Sequence, residues 1–115
     1  MSCGQSLPQN NRKAYLLNAL PGGLIPPEGI EISILPCQAG EVNRAAPDSA
    51  IGHAETAALV SGLLGQTVPM ARITVPTLER GDVHFVALYQ GPRLPEGATT
   101  LPDGATLRLY KLEAF

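Results

Sequence analysis

Apolar and polar positions alternate most regularly near the end of the chain, in Thr106-Leu107-Arg108-Leu109-Tyr110-Lys111-Leu112-Glu113. Such a period of two predicts a strand with one face buried. Val83-His84-Phe85-Val86-Ala87-Leu88-Tyr89-Gln90 is more continuously apolar and is the strongest strand in the chain,. Ala71-Arg72-Ile73-Thr74-Val75 also alternates, and Arg80-Gly81-Asp82 supplies a turn. The pattern therefore predicts an antiparallel hairpin between 71–75 and 83–90. Earlier, Ala14-Tyr15-Leu16-Leu17-Asn18-Ala19 reads as a short buried strand stopped by Pro21-Gly22-Gly23, and Ile30-Glu31-Ile32-Ser33-Ile34 as a half-exposed one,. Residues 38–47 read as a connection of small residues. Asp48 or Ser49 is placed to cap a helix running to Leu64, with Leu59, Val60, Leu63 and Leu64 as its buried stripe and Gly65 as its stop,. His53 falls on the inner side of that helix's first turn.

These elements describe one α/β domain over residues 13–115: a mixed, mainly antiparallel sheet of about five strands with flanking helices. Residues 1–12 form a loose polar lead-in. A chain of 115 residues suits one domain,, and no internal repeat appears. With 44% hydrophobic residues, 16% charged ones, 12 Gly and 11 Pro, it has a core and many sharp turns,. The net charge of −2 argues against a long nucleic-acid polymer such as DNA as partner,. A small anion held by a few converging arginines is compatible with it. No apolar run serves as a signal peptide or crosses a bilayer, so a cytoplasmic protein is expected. Cys3 and Cys37 have no metal-type spacing and suggest no disulfide framework,.

Candidate chemistry concentrates in two segments. Ile51-Gly52-His53-Ala54-Glu55-Thr56 places a histidine at the mouth of the helix, and Gln90-Gly91-Pro92-Arg93-Leu94-Pro95-Glu96-Gly97 offers an arginine and a glutamate in a proline-bounded loop. Histidine exchanges protons near neutral pH, and arginine grips phosphate with a planar fork. A first-turn histidine is more often structural, while Gly52 leaves room beside the ring for a ligand. Arg93 and Glu96 alone read as an exposed ion pair, Arg72 as a solvent-facing strand residue, and His84 as structural. No phosphate loop, metal-binding helix or serine elbow is present.

Taken in order, Tyr15-Leu16-Leu17-Asn18-Ala19, Ser49-Ala50-Ile51-Gly52-His53, Ser61-Gly62-Leu63-Leu64-Gly65, Arg72 and Arg93-Leu94-Pro95-Glu96-Gly97 resemble the small ring nucleases of type III CRISPR immunity. That family was first recognised among viral anti-CRISPR proteins and also occurs in bacterial genomes; in a viral setting the site of action is the host cytoplasm. The resemblance runs from Lys13 to the C-terminus. It implies a homodimer that binds cyclic tetra-adenylate across its two-fold axis and cuts it, without metal or cofactor, to linear di-adenylate. By motif, His53 matches the catalytic histidine, Arg93 and Glu96 the loop pair, Arg72 the phosphate-contacting arginine and Asn18 the first-loop asparagine. Where the family commonly has a serine after the asparagine-alanine pair, this chain has Leu20-Pro21-Gly22, leaving backbone amides for the ligand. Tyr89 and Gln90 compete for the place of a glutamine before the arginine loop.

The implied chemistry is internal attack by a ribose 2′-hydroxyl on phosphorus, leaving a 2′,3′-cyclic phosphate. His53 serves as general acid, Arg93 and Arg72 hold the phosphate, and Glu96 steadies the imidazolium or orients it. Two alternatives remain open at this stage: a binding protein that sequesters the cyclic nucleotide uncut, and an interaction module whose motifs only end strands.

Overall fold

A computed structural model describes residues 12–115, so the expected lead-in before Arg12, with Cys3, lies outside the described residues. The elements are β1 Tyr15–Leu17, a 3-10 turn at Gly22–Leu24, β2 Ile32–Pro36, α1 Ala39–Ala45, β3 Asp48–Ser49, α2 Ala54–Leu64, β4 Val83–Gln90 and β5 Thr106–Ala114. They build one α/β domain around a mixed five-stranded sheet in the order β2-β5-β4-β1-β3. Antiparallel pairing joins β2 to β5 and β5 to β4, while β4, β1 and β3 run parallel.

Strand β4 has the predicted bounds, and β5 runs one residue beyond its prediction. Burial on both faces explains the apolar run of β4. One face carries Phe85 and Ala87, packed with Leu16 and Leu109 beneath Val42 of α1 and Ala57, Val60 and Leu64 of α2. Full burial of Val60 contributes about 1.5–3 kcal/mol,. The other face carries Leu17, Val86 and Leu112 and is roofed by Leu24, Val75 and Leu78.

That roof corrects the predicted hairpin. Residues 71–75 form no strand, and β4 takes β5 and β1 as its neighbours. Pro69 and Pro76 remove backbone donors on both sides of the segment,. The segment instead lies across the sheet, with Val75 buried, and its backbone bonds reach other loops: Ala71 N–H to Ile51 O at 2.9 Å and Leu78 N–H to Leu24 O at 2.9 Å.

Two further expectations change. Residues 38–47 contain α1, closed by a capping box in which the Gln38 side chain meets the Glu41 backbone and the Glu41 side chain accepts from the Gln38 N–H,. The predicted cap at Asp48 or Ser49 is occupied by strand pairing, with Asp48 N–H donating to Ala14 O and Ala50 N–H to Leu16 O. Ser49 Oγ donates to Pro69 O at 2.6 Å and accepts from Ile51 N–H at 3.3 Å, so it has no role at a helix end. Helix α2 therefore starts later, with His53 at the N-cap and Gly65 as the C-cap at φ 70°, as the glycine stop anticipated,. Leu63 leaves the predicted stripe and is 43% exposed.

Arg12, assigned to the lead-in, is instead tied to the domain. Its Nε lies 3.0 Å from Asp82 Oδ1, and its guanidinium donates to Glu79 Oε2 at 2.6 Å and to Thr77 O at 2.8 Å. Asp82 is buried, and Glu79 N–H donates to its Oδ2 at 2.9 Å, so the buried carboxylate has both a cation and an amide,.

Candidate active site

Three parallel neighbours in a sheet deliver their carboxyl ends to the same end of it, where α/β folds commonly place ligands. Asn18 follows β1, Ala50–His53 follow β3, and Gly91–Gly97 follow β4. Topology thus gathers segments that lie far apart in the chain.

His53, Glu55, Arg93, Leu94, Pro95 and Glu96 line one open depression of about 510 Å³. That volume lies in the range of about 300–1,000 Å³ usual for small-ligand sites. His53 does not face inward as predicted; as the N-cap its side chain is 63% exposed. An extended backbone at φ −131° carries it away from the helix face that meets the sheet.

Its partner is Glu55. Imidazole Nδ1 lies 3.3 Å from Glu55 Oε1, and the other carboxylate oxygen, Oε2, accepts from Gly97 N–H at 3.1 Å. The Gly97 amide holds the Glu55 carboxyl below the usual range, with its own backbone amide and His53 acting the same way against a smaller opposing effect of desolvation. Composition and motif missed this role. An acidic residue in a first helical turn complements the helix dipole, and no local pattern indicates that Gly97 will face it.

Arg72 lies on the irregular segment, not on a strand, yet stays beside the site: its Nε donates to Gly52 O at 3.1 Å. The opening expected at Gly52 is filled by that arginine, since a Cβ built on Gly52 meets Arg72 Cγ at 3.3 Å. Arg93 and Glu96 share the depression without forming an ion pair among the described residues, and the contact expected from Glu96 to His53 is made by Glu55. Tyr89 donates its hydroxyl to Pro92 O and so braces the arginine loop, while Gln90 is exposed at the end of β4. Asn18 sits at the same end of the sheet but does not line the depression, nor do Leu20, Pro21 and Gly22. Pro21 has no amide to offer, and its carbonyl accepts from Leu24 N–H at 3.0 Å,.

Comparison with known proteins agrees with this architecture. The profile of the family described as STIV B116-like matches residues 14–105, which include every segment at the carboxyl ends of β1, β3 and β4. The chain belongs to the STIV B116-like family. The match ends just before β5. Among solved structures, B116 of Sulfolobus turreted icosahedral virus is similar in fold, with a TM-score of 0.68 and 22% identity over 89% of this chain and 99% of that one. No curated protein matches the chain. Among the described residues of this B116-like chain, no group of three or more His, Cys, Asp or Glu side chains is placed to hold a metal ion, and no helix is long and apolar enough to cross a membrane.

Proposed function

We propose that the protein is a ring nuclease that binds cyclic tetra-adenylate and cleaves it to linear di-adenylate ending in a 2′,3′-cyclic phosphate, switching off type III CRISPR signalling. The observation that carries the proposal is the convergence of His53, Arg93 and Glu96 on one depression, with Arg72 adjoining through Gly52. The five-segment resemblance supports the choice of substrate.

In the proposed reaction the ribose 2′-hydroxyl, losing its proton to solvent, forms the new oxygen–phosphorus bond, and the phosphorus–5′-oxygen bond breaks. With Nδ1 turned to Glu55, the His53 Nε2 proton is the one available to the departing 5′-oxygen,. Arg93 and Arg72 balance the charge that builds on the phosphorane. Two copies related by a two-fold axis bring two histidines to opposite bonds of a four-fold ring, so the products are two equal halves. Exposed Leu20, Ile25, Met70 and Ile73, on the segments that follow β1 and α2, offer apolar surface for the second copy.

The test is cleavage of labelled cyclic tetra-adenylate by wild type and His53→Ala. Wild type gives di-adenylate, and the variant loses about 10²- to 10⁴-fold in rate while still binding. Tight binding by wild type without any product assigns the protein to sequestration instead; neither binding nor product removes the cyclic oligoadenylate reading.

A further inference from the structure

We infer that Glu55 is the positioning residue of this site, a single carboxylate that fixes the His53 ring with one oxygen and the Arg93 loop with the other. The inference rests on the catalytic reading of His53. A first-turn glutamate often does no more than complement a helix dipole. Glu55 differs because its two oxygens are taken by two separate elements: Oε1 by His53 Nδ1 at 3.3 Å, and Oε2 by the amide of Gly97, 42 residues along the chain, at 3.1 Å. The Glu55 side chain is only 18% exposed, whereas the histidine side chain it holds is 63% exposed. The oriented group is thus open to a ligand while the orienting group is largely covered.

The consequence concerns proton placement. A carboxylate at Nδ1 favours the tautomer with hydrogen on Nδ1, which is the form left once an imidazolium has given its Nε2 proton to a leaving oxygen. The charged groups around His53 are Glu55 on its own helix, Arg93 and Glu96 on the loop, and Arg72 through Gly52. Of the glutamates, Glu55 is the one in contact. Its second bond, to Gly97, ties down the far end of the loop that carries Arg93, so ring and guanidinium are referenced to one anchor.

The imidazole ¹⁵N chemical shifts of His53 at alkaline pH, which distinguish the two tautomers, test this without depending on turnover. In wild type they should show hydrogen on Nδ1; in Glu55→Ala that preference should weaken, and in Glu96→Gln it should change less,. An unchanged tautomer balance in Glu55→Ala, or a larger change in Glu96→Gln, overturns the assignment. The loop half is read by hydrogen exchange at the Gly97 amide, which should quicken in Glu55→Ala and stay close to wild type in Glu55→Gln; equal protection in wild type and Glu55→Ala overturns it. With cyclic tetra-adenylate, Glu55→Gln should lower kcat about tenfold and leave KM nearly constant. In a His53→Ala background the same change should cost nothing more. A wild type that does not cleave ends the nuclease reading, while the NMR and exchange results still decide the role of Glu55.

Discussion

Gly91 is the position at which a single methyl group tests how the arginine loop is held. It ends β4 and begins the turn to Arg93, with φ 156°, a value that residues bearing a Cβ rarely adopt. A Cβ built there comes within 2.5 Å of Ala105 Cβ, 2.9 Å of Ala105 Cα and 3.0 Å of the Tyr89 hydroxyl. The two nearest of these atoms belong to Ala105, whose short side chain cannot swing aside, so the backbone must move. Overpacking of this kind costs about 1–3 kcal/mol, and the unfavourable φ adds about 1–3 kcal/mol. Gly91→Ala should therefore destabilise the domain by about 2–6 kcal/mol, against a total stability of about 5–15 kcal/mol for a natural domain. At about 4 °C per kcal/mol for a chain of this length, Tm should fall by about 8–24 °C in a calorimetric or circular-dichroism melt. Adding Ala105→Gly removes the 2.5 Å contact but leaves the 2.9 Å one and the strained φ, so recovery should be partial. A Gly91→Ala melt within 2 °C of wild type, about half a kcal/mol, would show that the close approach of the β4 and β5 ends is not a real constraint.

The remaining expectations concern pH, ligand and metal. His84 is buried, accepts a hydrogen bond at Nδ1 from Tyr15 N–H at 3.1 Å and has no partner at Nε2 among the described residues. Burial holds it below the ordinary histidine range, Arg12 pushes the same way and Asp82 opposes. A depressed basic group binds its proton more readily in the unfolded chain, so stability should fall as pH drops below about 6.5; denaturant melts at pH 7.5 and 5.5 should show this, and a loss equal in His84→Gln would assign it elsewhere. Arg93→Ala should weaken binding of cyclic tetra-adenylate far more than His53→Ala does, because in the proposed reaction the fork meets phosphate both before and during bond breaking; calorimetry should also give one ring per two chains, and equal affinities in the two variants would remove Arg93 from the ligand. Cleavage should persist in EDTA, since no set of three metal-type donors is assembled among the described residues; activity lost in chelator and restored by Mg²⁺ or Mn²⁺ would overturn that expectation.

Where local physics decides an element, the pattern of residues was enough. Strand β4 is apolar because it is covered on both faces, β5 alternates between two packed faces, and Gly65 ends α2 in the left-handed conformation. The locally capped α1 aside, what escaped was decided by distant partners. Ala71–Val75 has a strand's alternation, but its flanking prolines and the need to roof Leu17, Val86 and Leu112 laid it across the sheet. Ser49 looked like a helix cap because nothing nearby in sequence indicates that Pro69 O will claim its hydroxyl. The same applies at the site: His53, Arg93 and Glu96 stood out as candidates and line one depression, whereas Glu55 became visible only once Gly97 was seen to face it.

The direction of the strands has a practical consequence for handling the protein. Because β5 runs antiparallel to β4, it finishes where β4 begins, with Gly81 N–H bonded to Ala114 O and Ala114 N–H to Asp82 O. Arg12, just ahead of β1, is clamped to Asp82 at that same end. Both ends of the described chain therefore meet opposite the His53 depression. A fluorophore, an affinity handle or a surface tether placed after Phe115 emerges away from the ligand's approach, and a short bridge from Phe115 to Arg12 would close the chain there, freeing a surface turn for new termini.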